Sequence, residues 1–231
     1  MTSVPNREEI RSGKFSPTKQ GSAEVVLFED AFEGICNHRI EMDALAPHPG
    51  CVRFVELLFL ALLVRHMRPH RVFELGTLQG RTTLNLALNL PASSQIFTLN
   101  LCVEDQRCFE GWHKQDELLV KENHGKIGCL FRESEVEHRI TQLWGDSLTF
   151  EFAPYKEAMD LVFIDGNRQY EYVISDSENG RRMLRPGGLL VWHDYNYADS
   201  VTDAVDDFCR ANALLCKTVS QLTVAFSILE N

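Results

Sequence analysis

The chain has 231 residues, of which 44% are hydrophobic and 24% are charged, a composition typical of a folded globular protein and not of a disordered one. Its 33 acidic residues outnumber its 23 basic residues, so the net charge at pH 7 is −10. Because such a surface repels phosphate backbones and the sequence has no run of Lys or Arg, we expect no binding to nucleic acid.

The cysteine pattern and the apolar segments indicate the cellular location of the protein. Seven cysteines occur without a C-x-x-C pair, which predicts reduced thiols and a cytoplasmic location instead of a zinc site or a disulfide framework. Residues 1–22 are polar, lack a secretory signal, and are interpreted as a flexible N-terminal arm. The longest apolar stretch, residues 54–64, is about half of a membrane span. We therefore expect no association with a membrane.

The next part of the chain favours helices. Residues 24–48 have a loosely helical pattern, and a helix is predicted over residues 52–67 because apolar side chains recur there with helical spacing. We interpret residues 23–70 as N-terminal helices that cap a domain formed by residues 71–231. The apolar faces of these helices are a candidate interface for a homodimer.

Short apolar strands then alternate with helices. Strands are predicted over residues 71–75, 95–100, 139–144, 160–165 and 189–193, helices over 81–90, 170–184 and 200–211, and a hairpin over 215–219 and 223–229. The charged residues 104–139 form either a solvated insertion or a flap over a substrate, with Trp112 as a candidate lid residue. The alternation predicts an α/β fold with one doubly wound, Rossmann-like and mostly parallel sheet.

Polar or small residues follow the ends of five predicted strands. They are Gly76 and Gly80, Asn100, Asp146, Asp165, and the pair His193 and Asp194. In an open parallel sheet, ligands bind beyond the carboxyl ends of the strands, where the strand order reverses. The sequence therefore predicts one pocket to which all five strand ends contribute.

The turn after the first of these strands has the spacing Glu74-x-Gly76-x-x-x-Gly80. It lacks the middle glycine of the dinucleotide motif G-x-G-x-x-G, which disfavours a nicotinamide-dependent dehydrogenase. The carboxylate of Glu74 suits a cationic ligand better than an anionic one. A side chain added at Gly76 is expected to fill the space of the ligand and to leave the fold largely intact.

Four segments resemble the motifs of class I S-adenosylmethionine-dependent methyltransferases. These are residues 72–80, 145–147, 163–166 and 184–194. The stretch 163–194 is especially similar to methyltransferase family 24, which is distantly like the catechol O-methyltransferases. The resemblance covers roughly residues 71–229 and implies a seven-stranded sheet whose last strand is antiparallel.

The resemblance also implies an activity and its site residues. The expected reaction transfers a methyl group from S-adenosyl-L-methionine to a small molecule, at oxygen. The implied positions are Glu74, Gly76, Thr77 and Gly80 around the methionine part of the cofactor, Asn100 at the ribose hydroxyls, Asp146 and Ser147 beside the adenine, and Asp165 near the sulfonium and the acceptor.

A hydroxyl acceptor needs a general base or a divalent metal that lowers its pKa. His193 is a candidate base, because its ordinary pKa lies near neutrality. Asp165 and Asp194 follow neighbouring strands and are candidate oxygen ligands for Mg²⁺. The candidate catalytic residues are therefore Asp165, His193 and Asp194.

Two positions differ from the family pattern. Asn100 stands where the family usually has an acid, and Arg168 stands where it usually has histidine. An amide lacks the charge of a carboxylate, and arginine stays protonated, so it is neither a base nor a metal ligand. These differences motivate an alternative hypothesis, a methyltransferase-like protein without turnover that acts as a cofactor-binding or interaction module.

Overall fold

The computed structural model describes residues 18–102 and 114–229. Within them, eight strands form one sheet: β1 (Glu24–Val26), β2 (Arg71–Leu75), β3 (Gln95–Asn100), β4 (Ile140–Trp144), β5 (Met159–Ile164), β6 (Leu184–Trp192), β7 (Lys217–Val219) and β8 (Ala225–Ile228). Their order across the sheet is β1-β7-β8-β6-β5-β2-β3-β4. The strand order therefore reverses between β2 and β5, which is where this class of sheet binds ligands.

The strand directions confirm the predicted fold class. Strand β8 runs antiparallel to both of its neighbours, β6 and β7. The other neighbouring pairs of the described sheet are parallel. The sheet is thus Rossmann-like and mostly parallel, with an antiparallel last strand, but it has eight strands where seven were expected.

Helices cover both faces of the sheet. They are α1 (Phe54–Met67), α2 (Arg81–Asn89), α3 (Lys114–Asn123), α4 (Tyr170–Met183) and α5 (Asp199–Ala211). Successive side chains of a strand point to opposite faces, so Val191 and Trp192 of β6 enter different cores. Val191 belongs to the core that contains Leu57 of α1, whereas Trp192 belongs to the core that contains Phe208 of α5. The sheet is therefore doubly wound.

The N-terminal part differs from its predicted helical pattern. Residues 24–26 form β1, which pairs in parallel with β7, and short 3₁₀ turns follow it. Residues 18–22 of the predicted arm lie beside the loop after β6, because the backbone N–H groups of Thr18 and Gly21 donate to Asn196 at 3.1 and 2.7 Å. Residues 1–17 lie outside the described residues.

Several expectations concern features beyond the sheet. None of the described helices has the length and apolar character needed to cross a bilayer. The six cysteines within the described ranges are free thiols. Part of the charged segment 104–139 is helical, as α3, while Trp112 lies outside the described residues. The domain boundaries, the cytoplasmic location and the homodimer remain predictions.

Candidate active site

The carboxyl ends of β2 to β6 meet at one edge of the sheet, because these strands are parallel neighbours. A cleft at this edge, here named the glycine cleft, has about 340 Å³ of space, which includes open solvent at its mouth. It is lined by Leu75, Gly76, Leu99, Leu101, Gly145, Asp146, Ser147, Gly166, Asn167, Tyr172 and Asp176. The mixture of leucines with a few polar groups is typical of a small-molecule site.

A second hollow, here named the acidic hollow, adjoins the glycine cleft. Its polar lining includes Asp165, Arg168, His193 and Asp194. Gly166 and Asn167 line both spaces, so the two are neighbours. The structure therefore brings six predicted site residues to one edge of the sheet: Gly76, Asp146 and Ser147 in the cleft, and Asp165, His193 and Asp194 in the hollow.

Gly76 allows the turn after β2 to approach the turn after β5. Its φ angle is +100°, a conformation that disfavours residues with a Cβ. A Cβ built at this position would lie 2.0 Å from the carbonyl oxygen of Asp165. The expectation that a side chain at Gly76 would leave the fold largely intact is therefore wrong, since the side chain would collide with backbone, while the expected loss of cofactor binding stays a prediction.

Gly80 lies away from the glycine cleft. It precedes α2 with a φ angle of +84°, and a Cβ there would lie 2.5 Å from the ring of Phe131. The glycine thus lets the start of α2 pack against the segment that follows α3. Its predicted contact with the cofactor has no counterpart in the lining of the cleft.

Asn100 holds the turn after β2 in place. Its side-chain oxygen accepts hydrogen bonds from the backbone N–H groups of Thr77 and Leu78, at 3.1 and 3.0 Å. Its side-chain NH₂ group donates to the carbonyl oxygen of Leu101 at 3.1 Å. The side-chain amide of Asn100 therefore stabilises the turn after β2, and its contact with the ribose hydroxyls stays a prediction.

Glu74 and Thr77 belong to a buried network beneath the same turn. The hydroxyl groups of Thr83 and Thr98 donate to Oε2 of Glu74, and the hydroxyls of Thr77 and Thr98 lie 2.7 Å apart. Burial raises the pKa of Glu74 to about 8, although the two threonine hydrogen bonds oppose the shift. Glu74 is thus a buried and mostly neutral group that supports the turn from below.

This raised pKa predicts a pH-dependent stability. Between its ordinary pKa and about 8, Glu74 binds more protons in the folded than in the unfolded chain, so its stabilising contribution is lost as the pH rises. One pKa unit corresponds to about 1.4 kcal/mol. Wild type should therefore lose a few kcal/mol of unfolding free energy relative to Glu74→Gln between about pH 5 and about pH 8. Urea denaturation at both pH values measures this difference, and a difference independent of pH would contradict the prediction.

Asp146 and Ser147 follow β4 and line the glycine cleft. Oδ1 of Asp146 accepts from the backbone N–H of Leu148 at 3.0 Å, and Oδ2 accepts from the hydroxyl of Tyr172 at 3.3 Å. The carboxylate therefore shapes the turn after β4 and ties it to α4. The position agrees with the site expected for the adenine, while its contact with a cofactor stays a prediction.

Asp176 also lines the cleft, and the sequence reasoning missed it. It is fully buried on α4, one helical turn after Tyr172, and burial raises its pKa to about 7 although Ser147 opposes the shift. Its i, i+4 spacing from an aromatic residue on the buried face of an amphipathic helix was the available signal.

His193 lies among three carboxylates in the acidic hollow. Its Nδ1 is 2.9 Å from Oδ1 of Asp165 and 3.3 Å from Oδ1 of Asp194, while its Nε2 is 3.2 Å from Oε2 of Glu56. Burial alone would lower the pKa of His193, but the charges of Asp165 and Asp194 raise it well above its ordinary value. A protonated ring has no free lone pair. This geometry favours a hydrogen-bonding role over the predicted role of base.

Glu56 is the second residue that sequence reasoning missed. It lies fully buried in the first turn of α1, where its Oε1 accepts from the backbone N–H and the hydroxyl of Thr223 at 2.7 and 2.6 Å. Burial alone would raise the pKa of Glu56, but His193 and Arg53 hold it below its ordinary value. An acid within the otherwise apolar stretch 54–64 was the signal that could have identified it.

A family comparison decides between the classes of protein that share this fold. A family model described as a methyltransferase domain matches residues 73–195, more than half of the chain. The chain belongs to this family. It is the methyltransferase family 24 that the motifs resemble, within the class I S-adenosylmethionine-dependent methyltransferases.

Solved structures similar to this methyltransferase support its fold. The O-methyltransferase TomG of Streptomyces achromogenes, in complex with S-adenosylmethionine, aligns with a TM-score of 0.59 at 16% identity, covering 88% of this chain and 94% of that chain. Podospora anserina PaMTH1, bound to S-adenosylhomocysteine, aligns with a TM-score of 0.59 at 15% identity, covering 100% of both chains. A Bacillus cereus O-methyltransferase in complex with S-adenosylhomocysteine gives 0.52 at 16% identity, covering 88% and 90%. No curated protein matches the sequence.

The acidic hollow of the methyltransferase has the donor set for a divalent cation. Ligand atoms of Asp165, His193 and Asp194 all lie within 4.8 Å of one another. Two carboxylate oxygens suit such an ion, and the nitrogen of His193 joins them only when its ring is deprotonated. Glu56 faces the far nitrogen of the ring, as outer carboxylates do in metal sites. The set contains the two predicted ligands and adds His193.

Tyr195 and Arg168 are neighbours of this cluster. Tyr195 is fully buried and donates its hydroxyl to Asp206 at 2.7 Å, so it faces away from the cluster. Nε of Arg168 lies 3.8 Å from Oδ2 of Asp194. The positive charge of the Arg168 guanidinium is therefore close to a carboxylate of the cluster. The methyltransferase therefore has two ways to neutralise these carboxylates, a bound cation or its own basic side chains.

Proposed function

We propose that this methyltransferase transfers a methyl group from S-adenosylmethionine to a hydroxyl group of a small molecule. The observation that carries the proposal is the juxtaposition of the glycine cleft with the acidic hollow, which share Gly166 and Asn167. A cofactor in the cleft would have its sulfonium beside Asp165. The two similar structures described as O-methyltransferases, from Streptomyces achromogenes and Bacillus cereus, support oxygen as the acceptor atom.

The residues of the glycine cleft suit this cofactor. Leu75, Leu99 and Leu101 offer apolar contacts for a planar base, and the hydroxyl of Ser147 offers a hydrogen bond to polar edges. The lining carries acidic residues and no basic one among the residues described there. Such a surface favours a positively charged sulfonium over the phosphates of a dinucleotide.

The chain's own groups position the reactants and take up a proton. Bound S-adenosylmethionine supplies an electrophilic methyl group. The bond between sulfur and the methyl carbon breaks as the acceptor oxygen forms its bond to that carbon, and the hydroxyl proton passes to Asp165. Oδ1 of Asp165 lies 2.9 Å from Nδ1 of His193, and we assign the proton to the other carboxylate oxygen, Oδ2. A Mg²⁺ ion held by carboxylate oxygens of Asp165 and Asp194 would offer a second way to lower the pKa of the hydroxyl.

A second candidate function is a cofactor-binding module without turnover. Arg168 lies where the family usually has histidine and is close to Asp194, which favours a hollow neutralised by the chain itself. The side-chain oxygen of Asn100 is engaged by the turn. Both candidates predict binding of the cofactor, and they differ in whether an acceptor becomes methylated.

Calorimetry and a transfer assay test the proposal. Titration of the full chain with S-adenosylhomocysteine should show one site per chain with micromolar affinity. Incubation with tritiated S-adenosylmethionine and a panel of phenols, catechols, amines and thiols, with Mg²⁺ or with EDTA, should label hydroxyl acceptors. Absence of binding at millimolar ligand would contradict the proposal, and binding without labelling of any acceptor would favour the second candidate.

A further inference from the structure

The loop after β6 holds two candidate site residues in a conformation that needs support from outside the loop. His193 and Asp194 begin this loop and line the acidic hollow. Asp194 and Asn196 both have left-handed backbones, with φ angles of +61° and +64°. Asp and Asn tolerate this conformation better than most residues, but it persists only where the surrounding structure holds it. The contacts of the loop therefore determine where its two site residues lie.

Residues 18–23, here named the N-terminal strap, supply part of that support. The side-chain oxygen of Asn196 accepts from the backbone N–H of Gly21 at 2.7 Å. The hydroxyl oxygen of Tyr195 accepts from the backbone N–H of Ala23 at 3.0 Å. Tyr195 and Asn196 are both buried, so solvent does not readily replace these bonds. The strap thus binds the two residues that directly follow the site residues of the loop.

The N-terminal strap is itself anchored on α5. The hydroxyl of Thr18 donates to Oδ1 of Asp199 at 3.0 Å, and the backbone N–H of Ser22 donates to Oδ2 of Asp206 at 2.9 Å. Oδ1 of Asp206 accepts from the hydroxyl of Tyr195 at 2.7 Å. One carboxylate of α5 therefore joins the strap to the loop, and the strap, the helix and the loop form one connected network.

This network reaches the acidic hollow and not the glycine cleft. Neither the strap nor Tyr195 and Asn196 contribute to the described lining of the cleft. The loop begins with His193, whose Nδ1 lies 2.9 Å from Oδ1 of Asp165. A displaced loop would therefore move the groups around Asp165 and leave the lining of the cleft in place.

We infer that the N-terminal strap is a positioning element for methyl transfer, which fixes His193 and Asp194 through the residues that follow them. The inference rests on the proposed function and adds a requirement for a segment outside residues 73–195, the region that matches the family. A displacement of reacting groups by about 1 Å lowers a rate by up to about 10²-fold. Release of the strap should therefore lower kcat and spare the affinity for the cofactor.

Gly21→Ala tests the strap without a change in the site. An added Cβ would lie 1.9 Å from the hydroxyl oxygen of Tyr195, and Gly21 has no positive φ, so the collision is the source of the effect. In the full-length chain, kcat for the acceptor that wild type labels should fall about ten- to hundredfold. The affinity for S-adenosylhomocysteine, measured by calorimetry, should stay as in wild type. Gly125→Ala is the matched control and should behave as wild type, because Gly125 also has no positive φ and no atom lies within 4 Å of its added Cβ.

Asn196→Gly and Asn196→Asp test the same contact from the loop. Glycine keeps the left-handed backbone but removes the oxygen that accepts from Gly21, so kcat should fall as in Gly21→Ala. Aspartate keeps a side-chain oxygen that can accept this bond and should retain most of the wild-type kcat. Hydrogen exchange of the amides of residues 193–198, followed by mass spectrometry, should be faster in Gly21→Ala and Asn196→Gly than in wild type.

The outcomes separate this inference from the proposed function. If exchange in the loop is faster while kcat is unchanged, the strap supports the loop without serving the reaction, and the inference is overturned. Equal losses of kcat and of cofactor affinity would also overturn it, because they indicate a general loss of structure. An unchanged kcat and unchanged exchange in both Gly21→Ala and Asn196→Gly would overturn it as well. If wild type labels no acceptor, the proposed function fails and the inference fails with it.

Discussion

Replacing Asp165 by asparagine should reduce methyl transfer by about 10²- to 10⁴-fold, the usual contribution of a positioned general base. The substitution keeps the shape of the side chain, but an amide cannot take up a proton. It also replaces the carboxylate oxygen that lies 2.9 Å from Nδ1 of His193. The affinity for S-adenosylhomocysteine should change little, because Asp165 lines the acidic hollow and not the glycine cleft.

Single-turnover kinetics and calorimetry on the same preparation separate these two effects. Asp199→Asn, the same change at an exposed carboxylate at the start of α5, is the matched control and should retain full activity. Equal loss of cofactor affinity and methyl transfer in Asp165→Asn would contradict the assignment of Asp165 to the acceptor side.

Replacing Gly76 by alanine should abolish measurable binding of S-adenosylhomocysteine and also destabilise the fold. The added Cβ would lie 2.0 Å from the carbonyl oxygen of Asp165 and 3.1 Å from the backbone nitrogen of Gly166, so the turns after β2 and β5 must separate. These turns border both the glycine cleft and the acidic hollow. The left-handed backbone adds a strain of about 1–2 kcal/mol.

Gly187→Ala is the matched control for Gly76→Ala. Gly187 also has a positive φ, +79°, but no atom lies within 4 Å of an added Cβ. It lies in the first half of β6, away from the carboxyl edge of the sheet. Urea denaturation should show only the backbone strain for Gly187→Ala, with unchanged ligand affinity. Equal ligand affinities in the two variants would contradict the role of Gly76 in shaping the site.

The strands that build the site were predictable from sequence, because each is a short apolar run bounded by turn residues. Strands β2 and β3 begin and end where the pattern places them. Strand β1 was missed because it has three residues and pairs with β7 about 190 residues later. The sequence carries no local signal for such a long-range pairing. Residues 24–48 were therefore interpreted as loosely helical.

The site was predictable where its residues follow strands, because the topology of a parallel sheet brings strand ends together. Glu56 and Asp176 lie on helices, and only tertiary packing places them beside His193 and the glycine cleft. The hydrogen bonds of Asn100 to the turn after β2 depend on backbone geometry that its residue type does not reveal. Residue identity alone did not distinguish a group that binds a ligand from one that holds a turn.

A crystal structure of the full-length chain with S-adenosylhomocysteine tests the central claim most directly. The account predicts the ligand in the glycine cleft, with its adenine beside Ser147 and its sulfur facing the acidic hollow. Density for the ligand at any other surface, or a glycine cleft closed in a protein that binds the ligand, would contradict the account.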